Sequence, residues 1–184
     1  MRIVAGAFRG RRLLTPRGLH IRPTSDRVRE AMFSILAPYL PEARVLDLYA
    51  GTGALGLEAL SRGAVRSVFV DDHPEALRLI RANVKLCGVE DRAEILSGPV
   101  DRVIRRLACR GEGFHLIFLD PPYGKGLLEK SIPELVPLAF PQALAVAEHG
   151  AGEVLPECLG DWVRVEERRY GDTMISFYRR DFPS

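Results

Sequence analysis

The sequence has few residues that could serve disulfide, metal or membrane chemistry. Its three cysteines, Cys87, Cys109 and Cys158, lie far apart in the 184-residue chain, and none forms the C-x-x-C pair of a zinc or redox site. No run approaches the roughly 18 apolar residues of a membrane helix, and the chain opens with Met1-Arg2-Ile3-Val4 rather than a signal peptide. We therefore expect reduced cysteines, no metal and no membrane contact, in a soluble cytoplasmic protein.

Lysine and side-chain amides are also scarce. Only Lys85, Lys125 and Lys130 are lysines among the 26 basic residues, and Asn83 and Gln142 are the only amides. This usage is typical of a heat-adapted or GC-rich source and indicates nothing about chemistry.

The net charge of +2 conceals a strongly basic N-terminal segment. Residues 1–30 carry eight arginines against two carboxylates, Asp26 and Glu30, so the rest of the chain is net negative. The eight are Arg2, Arg9, Arg11, Arg12, Arg17, Arg22, Arg27 and Arg29. Because arginine contacts to phosphate supply most sequence-independent affinity for nucleic acid, the segment predicts a polyanionic partner. The alternative is a solvated basic tail.

The N-terminal 22 residues favour a small hairpin, because glycine and proline interrupt their short apolar runs. We treat 1–22 as a basic extension and 23–184 as one domain. After Pro23, Thr24 or Ser25 can cap a helix that Pro38 and Pro41 end. Its predicted buried face consists of Val28, Met32, Ile35 and Leu36.

From residue 44 onward, apolar strand patterns alternate with helical patterns. Strands are predicted near 45–48, 67–70, 93–96, 115–119 and 143–147, and helices near 53–62, 74–87, 99–109 and 127–137. Residues 162–166 and 174–178 alternate apolar and polar side chains around a turn, which predicts an antiparallel hairpin. The whole pattern predicts a doubly wound, mostly parallel α/β sheet of seven strands with an antiparallel edge.

The first predicted strand leads into a glycine-rich loop. Gly51, Gly53 and Gly56 form G-x-G-x-x-G between a strand and a helix, the context that a nucleotide-type cofactor site requires. Asp71 ends the second strand 20 residues beyond Gly51, where its carboxylate can accept hydrogen bonds from ribose hydroxyls. These residues predict a cofactor that contains adenosine.

Asp47, four residues before Gly51, favours S-adenosylmethionine among such cofactors. A carboxylate there can meet the cationic amino-acid end of that molecule, whereas it would repel a pyrophosphate. Alternatively, Asp47 only orders the turn, Asp71 caps the next helix, and Asp72 is a cap or a contact. The adenine is expected near Ser97-Gly98-Pro99-Val100.

The fourth strand ends in Asp120-Pro121-Pro122-Tyr123. Its two prolines remove backbone donors, so the motif presents acceptors. The Asp120 carboxylate and the Pro121 carbonyl could accept both N–H hydrogens of a base's exocyclic amino group. They would also stabilise the positive charge that the nitrogen gains when it attacks the methyl group. Tyr123 would stack on a base that has rotated out of its helix or loop. The alternative is a structural turn with a buried tyrosine.

The sequence resembles the D/N-P-P-Y amino-methyltransferases and, more closely, the ribosomal RNA small subunit methyltransferase D family, over nearly its whole length. The resemblance includes residues 2–6, 9–13, 22–24, 27–30, 47–56 and 120–123. It implies a Rossmann-like methyltransferase fold and methylation of guanine N2 in 16S rRNA, within the small subunit or an assembly intermediate. By position, Asp47, Gly51, Gly53 and Asp71 would bind S-adenosylmethionine, and Asp120 to Tyr123 would hold the guanine amino group.

Further residues complete the predicted site. Tyr49, Asp72, Pro99 and Val100 belong to the expected cofactor site. The expected RNA-binding residues are Arg2, Arg9, Arg11 and Arg12 of the basic segment, together with Arg22, Thr24 and Arg27, which by the resemblance belong to the rim of the pocket. One position departs from the family, because Gly98 is followed by Pro99 where an acidic residue often meets the adenine amino group. Adenine recognition would then depend on backbone atoms and Asp101.

Other activities remain open at the level of sequence. The same motif would serve adenine N6 in DNA or RNA, and less readily a glutamine amide in a protein. A nicotinamide dehydrogenase would share the glycine loop but leaves Asp120 to Tyr123 unexplained. A ribosome assembly factor with a vestigial cofactor site is the non-enzymatic alternative. We take a monomer as the default state.

Overall fold

A central sheet of eight strands organises the chain, which a computed structural model describes over residues 1–17 and 24–180. The strands are β1 Arg44–Leu48, β2 Arg66–Asp71, β3 Ala93–Ser97, β4 Phe114–Leu119, β5 Ala139–Gly150, β6 Cys158–Leu159, β7 Trp162–Tyr170 and β8 Thr173–Arg180. The helices are α1 Asp26–Leu36, α2 Ala54–Ser61, α3 Pro74–Cys87, α4 Val100–Cys109 and α5 Leu127–Ser131. Short 3-10 turns span Ala37–Tyr39, Glu90–Arg92 and Pro133–Leu138.

The strand order is β3-β2-β1-β4-β5-β8-β7-β6. Strands β1 to β5 are parallel, and β6, β7 and β8 form the antiparallel edge. The chain moves outward in one direction from β1 and in the other from β4, so the topological switch point lies between these neighbours. The doubly wound prediction is confirmed, but the count of seven strands is wrong. Strand β6 has two residues, too few to show a period of two.

Two layers of side chains cover the sheet. On one face, α1, α2 and α3 pack on residues such as Val45, Phe69 and Phe118. On the other, α4 and α5 pack on Leu46, Val68 and others of the opposite parity. The C-terminal ends of the parallel strands stay uncovered at one edge, where open α/β sheets bind ligands.

Helix α1 begins at the predicted cap and buries most of the predicted face. The Ser25 hydroxyl accepts from the Val28 amide at 3.2 Å. Met32 and Leu36 are buried as predicted, and Val28 and Ile35 are half-buried against the same core. Arg29 and Phe33 are also buried, and an apolar pattern could not include the arginine.

The predicted helix over 127–137 is two shorter elements. Helix α5 stops at Ser131, and a 3-10 turn continues from Pro133. Pro133 and Pro137 have no backbone N–H to donate, so a continuous α-helix would lose its hydrogen bonds there.

Residues 1–17, which we call the N-terminal arm, form one antiparallel bridge between Arg2 and Arg12. The arm lies on α2. Glu58 of that helix accepts from the Val4 and Ala5 amides at 2.9 and 3.0 Å. Gly6 approaches the Ser61 carbonyl so closely that a Cβ would overlap it. The arm is therefore packed into the domain.

Asn83 of α3 joins the N-terminal arm to the glycine loop. Its side chain accepts from the Leu14 amide at 2.7 Å and donates to the Leu14 carbonyl at 3.0 Å and the Thr52 carbonyl at 2.9 Å. Asn83 is fully buried, and every polar atom of its amide has a partner.

Among the described residues, no helix is both long and apolar enough to cross a membrane.

Candidate functional site

Two cavities open at the C-terminal edge of the parallel strands. The larger, of about 510 Å³, is lined by Tyr49, Asp71, Asp72, Pro99, Val100, Asp101, Ile104, Pro122, Lys125, Leu127, Lys130, Ser131 and Glu134. The smaller, of about 240 Å³, is lined by Pro121, Pro122, Tyr123, Gly124, Gly126, Leu127, Leu128, Glu129, Glu148, Glu153, Val154 and Leu155. Pro122 and Leu127 line both cavities, which are therefore adjacent.

The larger cavity contains five of the eight residues predicted to bind the cofactor. Tyr49, Asp71, Asp72, Pro99 and Val100 line it, together with Asp101. Asp47, Gly51 and Gly53 do not line it. The structure thus gathers the strand-end residues in one cavity and leaves the glycine loop beside it.

The glycine loop has the backbone geometry its sequence predicts. Gly51 and Gly53 have φ of 59° and 80°, in the left-handed region that favours glycine. A Cβ on Gly56 would overlap the Phe69 ring and the Ser67 hydroxyl, so a glycine is required for α2 to lie this close to β2.

Asp71 connects the loop to the end of β2. Its two oxygens accept from the Gly51 and His73 amides, each at 2.9 Å. The cap of α3 is His73, whose ring accepts from the Glu75 amide, so Asp71 is not the helix cap. The carboxylate lies on the wall of the larger cavity with lone pairs left for a ligand's hydroxyls.

Tyr49 is a non-glycine residue in the left-handed region, with φ of 58°. Its hydroxyl lies 2.9 Å from Ser131 Oγ of α5. The strained backbone of Tyr49 places its side chain on the wall of the larger cavity. The contact with Ser131 joins the end of β1 to α5.

Asp47 is a buried carboxyl group with no cationic partner among the described residues. It is 1% exposed and accepts a hydrogen bond from the Gly56 amide at 2.9 Å. Burial raises the pKa of Asp47 to about 8, and the Asp71 charge adds to the rise, while the Gly56 bond opposes it. A cation bound here would relieve the cost of the buried charge.

We predict that Asp47→Asn stabilises the free protein at alkaline pH. Between the ordinary aspartate pKa of about 3.9 and about 8, the native state binds this proton more tightly than the unfolded state, so stability falls as pH rises. Asparagine removes that fall and can keep the Gly56 bond. Urea unfolding should show a gain over wild type on the order of 5 kcal/mol at pH 8.5 that nearly vanishes near pH 4. An equal difference at both pH values would contradict this account.

Three carboxyl groups meet where β1, β4 and β5 end. Asp47 lies in β1, Asp120 follows β4, and Glu148 lies in β5. Burial, then the charges of Glu148 and Asp47, raise the pKa of Asp120 well above its usual value. Such a concentration of acceptors, with no cation among them in residues 1–17 and 24–180, suits a ligand that brings N–H donors or positive charge.

Glu148 was not predicted from the sequence, and it lies on the wall of the smaller cavity. Glu148 Oε1 accepts from the Tyr123 hydroxyl at 3.0 Å, and Oε2 accepts from the Thr24 hydroxyl at 2.6 Å. Tyr123 is 45% exposed and is therefore not a buried structural residue. A single acidic residue ends the apolar run Ala143–Ala147, and that interruption was the only available signal.

A second acidic residue, Glu153, shapes the loop after Tyr123. Its two oxygens accept from the Gly124 amide at 2.6 Å and the Gly150 amide at 3.0 Å. Glu153 thus ties the loop after Tyr123 to the end of β5.

The predicted RNA-binding residues divide into several groups. Arg9, Arg12 and Arg27 are exposed and form no ion pair within the described ranges. Arg2 pairs with Asp26 at 2.8 Å. Arg11 donates to the Leu86 carbonyl at 3.0 Å and lies over the Phe8 ring. Thr24 contacts Glu148, and Arg22 lies outside the described residues.

The chain is similar to known proteins over nearly its whole length. The family model described as conserved hypothetical protein 95 matches residues 1–179. Ribosomal RNA small subunit methyltransferase D of Escherichia coli K12 is 35% identical over 184 residues, covering 98% of this chain and 90% of that protein.

Solved structures share the fold. A hypothetical protein of Thermus thermophilus superposes with a TM-score of 0.82 at 33% identity, covering 96% of this chain and 98% of that one. An RNA methyltransferase from Salinibacter ruber, in complex with S-adenosyl-L-homocysteine, gives a TM-score of 0.68 at 18% identity, covering 88% of this chain and 95% of that one. The second likeness concerns the fold alone.

Proposed function

The chain belongs to the ribosomal RNA small subunit methyltransferase D family, whose model is described as conserved hypothetical protein 95, and from that membership we propose that it methylates ribosomal RNA with S-adenosylmethionine. The finer proposal is that the acceptor is the N2 amino group of a guanine in 16S rRNA. The observation that best supports methyl transfer to a base is the adjacency of two cavities, one lined by the residues expected to bind adenosine and one lined by Pro121, Pro122 and Tyr123, which follow Asp120.

The larger cavity and the glycine loop suit S-adenosylmethionine. Asp71, already oriented by two backbone amides, would accept from the ribose hydroxyls. The cationic amino-acid end of the cofactor would lie near Asp47 and stabilise the buried charge of its carboxylate. Asp101 and the backbone near Pro99 would meet the adenine. When bound, the cofactor supplies an electrophilic methyl group on a sulfonium.

Asp120 and its neighbours would act on the acceptor. The Asp120 carboxylate and the Pro121 carbonyl accept the two N–H hydrogens of the amino group, so the nitrogen lone pair is directed towards the methyl group. The raised pKa of Asp120 also lets this carboxylate hold the proton that the nitrogen loses. Tyr123, nearly half exposed, would stack on the base, and the fixed geometry supplies proximity.

The partner that this proposal implies is small-subunit rRNA, in the subunit or in an assembly intermediate, and ribosomal RNA as substrate implies action in the cytoplasm. The test is transfer of labelled methyl to unmodified small-subunit particles, large-subunit particles and DNA, followed by nucleoside analysis. We expect N2-methylguanosine in small-subunit RNA alone. N6-methyladenine would instead assign the adenine activity, and cofactor binding without transfer would assign a binding protein.

We predict that Arg9→Glu with Arg12→Glu weakens RNA binding and flattens its salt dependence. Both side chains are exposed without an ion pair in the described part of the chain, so they are available to phosphates. Each lost phosphate contact should lower the slope of log affinity against log salt by about 1. Filter binding across salt concentrations would measure it. An unchanged slope would assign the arm a structural role.

Arg11→Glu serves as the contrasting variant. Arg11 donates to the Leu86 carbonyl and lies over Phe8, so its replacement should also lower the free energy of unfolding. The Arg9 and Arg12 double variant should unfold like wild type.

A further inference from the structure

We propose that Glu148 is the residue that distinguishes guanine from adenine, by accepting a hydrogen bond from guanine N1–H. The inference rests on the proposed function and adds the reason for its base specificity. The Asp120 to Tyr123 motif alone can hold any planar amino group, so the choice of base must come from another contact.

Glu148 is placed beside the group that would hold the amino nitrogen. Strands β4 and β5 pair in parallel with Leu119 opposite Ala147, so Asp120 and Glu148 follow as the next positions on neighbouring strands. Glu148 is 6% exposed and lines the smaller cavity with Pro121, Pro122 and Tyr123. Its charge is close enough to raise the pKa of Asp120.

The two bases differ at the ring atom next to the amino group. In guanine, one of the two ring atoms that flank the carbon bearing N2 is N1–H, a donor, whereas in adenine the atoms that flank the carbon bearing N6 are unprotonated N1, an acceptor, and C5, so neither can donate. An ionised carboxylate is an acceptor only. It therefore bonds to guanine N1–H and faces the lone pair of adenine N1 with its own, which rejects adenine.

Burial raises the pKa of Glu148, and the hydrogen bonds that Glu148 already makes oppose that rise and favour the ionised carboxylate. Tyr123 donates to Oε1 and Thr24 donates to Oε2, and each oxygen keeps a further lone pair. With guanine N1–H, three donors would surround the carboxylate and stabilise its ionised form. The Tyr123 bond also joins the ring that stacks on the base to the group that reads the base edge.

The test compares Glu148→Gln with wild type on two small-subunit substrates, one with the mapped target guanine and one with adenine at that position. The glutamine amide can donate to adenine N1, so we expect the guanine-to-adenine ratio of kcat/KM, about 10³ or more in wild type, to fall at least 100-fold. Glu148→Asp keeps an acceptor-only group and should lower transfer to guanine while adenine stays rejected.

Glu153→Gln is the matched control. It makes the same chemical change in the same cavity, but Glu153 is bonded to the Gly124 and Gly150 amides and should leave the ratio unchanged. Thermal stabilisation of each variant by S-adenosylmethionine checks that it is folded. An unchanged guanine-to-adenine ratio in Glu148→Gln, or an equal fall of that ratio in Glu153→Gln, would overturn this inference and leave the proposed function standing. Failure of wild type to methylate the guanine substrate would overturn the proposed function as well.

Discussion

Replacement of Asp120 by alanine is expected to lower kcat for methyl transfer by about 10³-fold or more, while the affinity for S-adenosylmethionine stays within a few fold. Asp120 follows β4 beside Pro121, and it is not among the residues lining the larger cavity. Its loss removes the acceptor that holds an amino hydrogen and stabilises the charge gained by the nitrogen. Single-turnover transfer to small-subunit particles and calorimetric cofactor titration would measure the two quantities.

Asp120→Asn is the informative companion variant. Asparagine keeps one oxygen acceptor but no negative charge, so its activity should lie between those of alanine and wild type. Because neutralising Asp120 removes a charge near Glu148 and Asp47, both substitutions should also raise the stability of the free protein at neutral pH. Full activity in Asp120→Ala would refute the mechanism. Loss of cofactor affinity would move Asp120 to the cofactor site.

The second large effect is on stability. Glu58→Ala should lower the free energy of unfolding by about 3 kcal/mol or more, because it removes the acceptor of two amides of the N-terminal arm and leaves the buried Arg29 paired with Asp26 but no longer with Glu58. Glu58 is fully buried and lies 3.5 Å from the fully buried Arg29. It also accepts from the Val4 and Ala5 amides of the N-terminal arm. Urea unfolding gives the size of the effect.

Hydrogen exchange would show where this loss acts. Amides of the N-terminal arm, Val4 and Ala5 first, should exchange much faster in Glu58→Ala than amides of β4 and β5. Arg62→Ala is the control, because Arg62 contacts the same carboxylate at 2.9 Å but leaves the Glu58 bonds to the Val4 and Ala5 amides in place, so exchange of these two amides should change little. Equally fast exchange of the arm amides in the two variants would refute the role of Glu58 in holding the arm.

Local sequence patterns predicted most of the sheet and part of the site. Helix α3 matches its prediction from Pro74 to Cys87, since proline can begin a helix and glycine can end one. The glycine loop and Asp71 lie as expected because their conformations are set by neighbouring residues. The strand-end residues meet because parallel strands end at one edge of a sheet.

Contacts between distant segments were not predictable in this way. Glu148 meets Thr24 across 124 positions, and Glu58 meets the N-terminal arm across 53 and 54. Each contact depends on how helices pack over the sheet, which no local period encodes. The same limit explains Arg29, because a pattern of apolar residues cannot show that a buried arginine will find carboxylate partners.

Because lysine is scarce, the lysines that line the larger cavity can be labelled selectively. Two of the three lysines, Lys125 and Lys130, lie on its wall, and nearly all other cations of the chain are guanidinium groups. Amine-selective reagents do not modify guanidinium groups, so besides the N-terminus and Lys85 they can label only this wall. Mass spectrometry of labelled peptides, with and without ligand, would thus use the protein's own composition as a footprint of the occupied site.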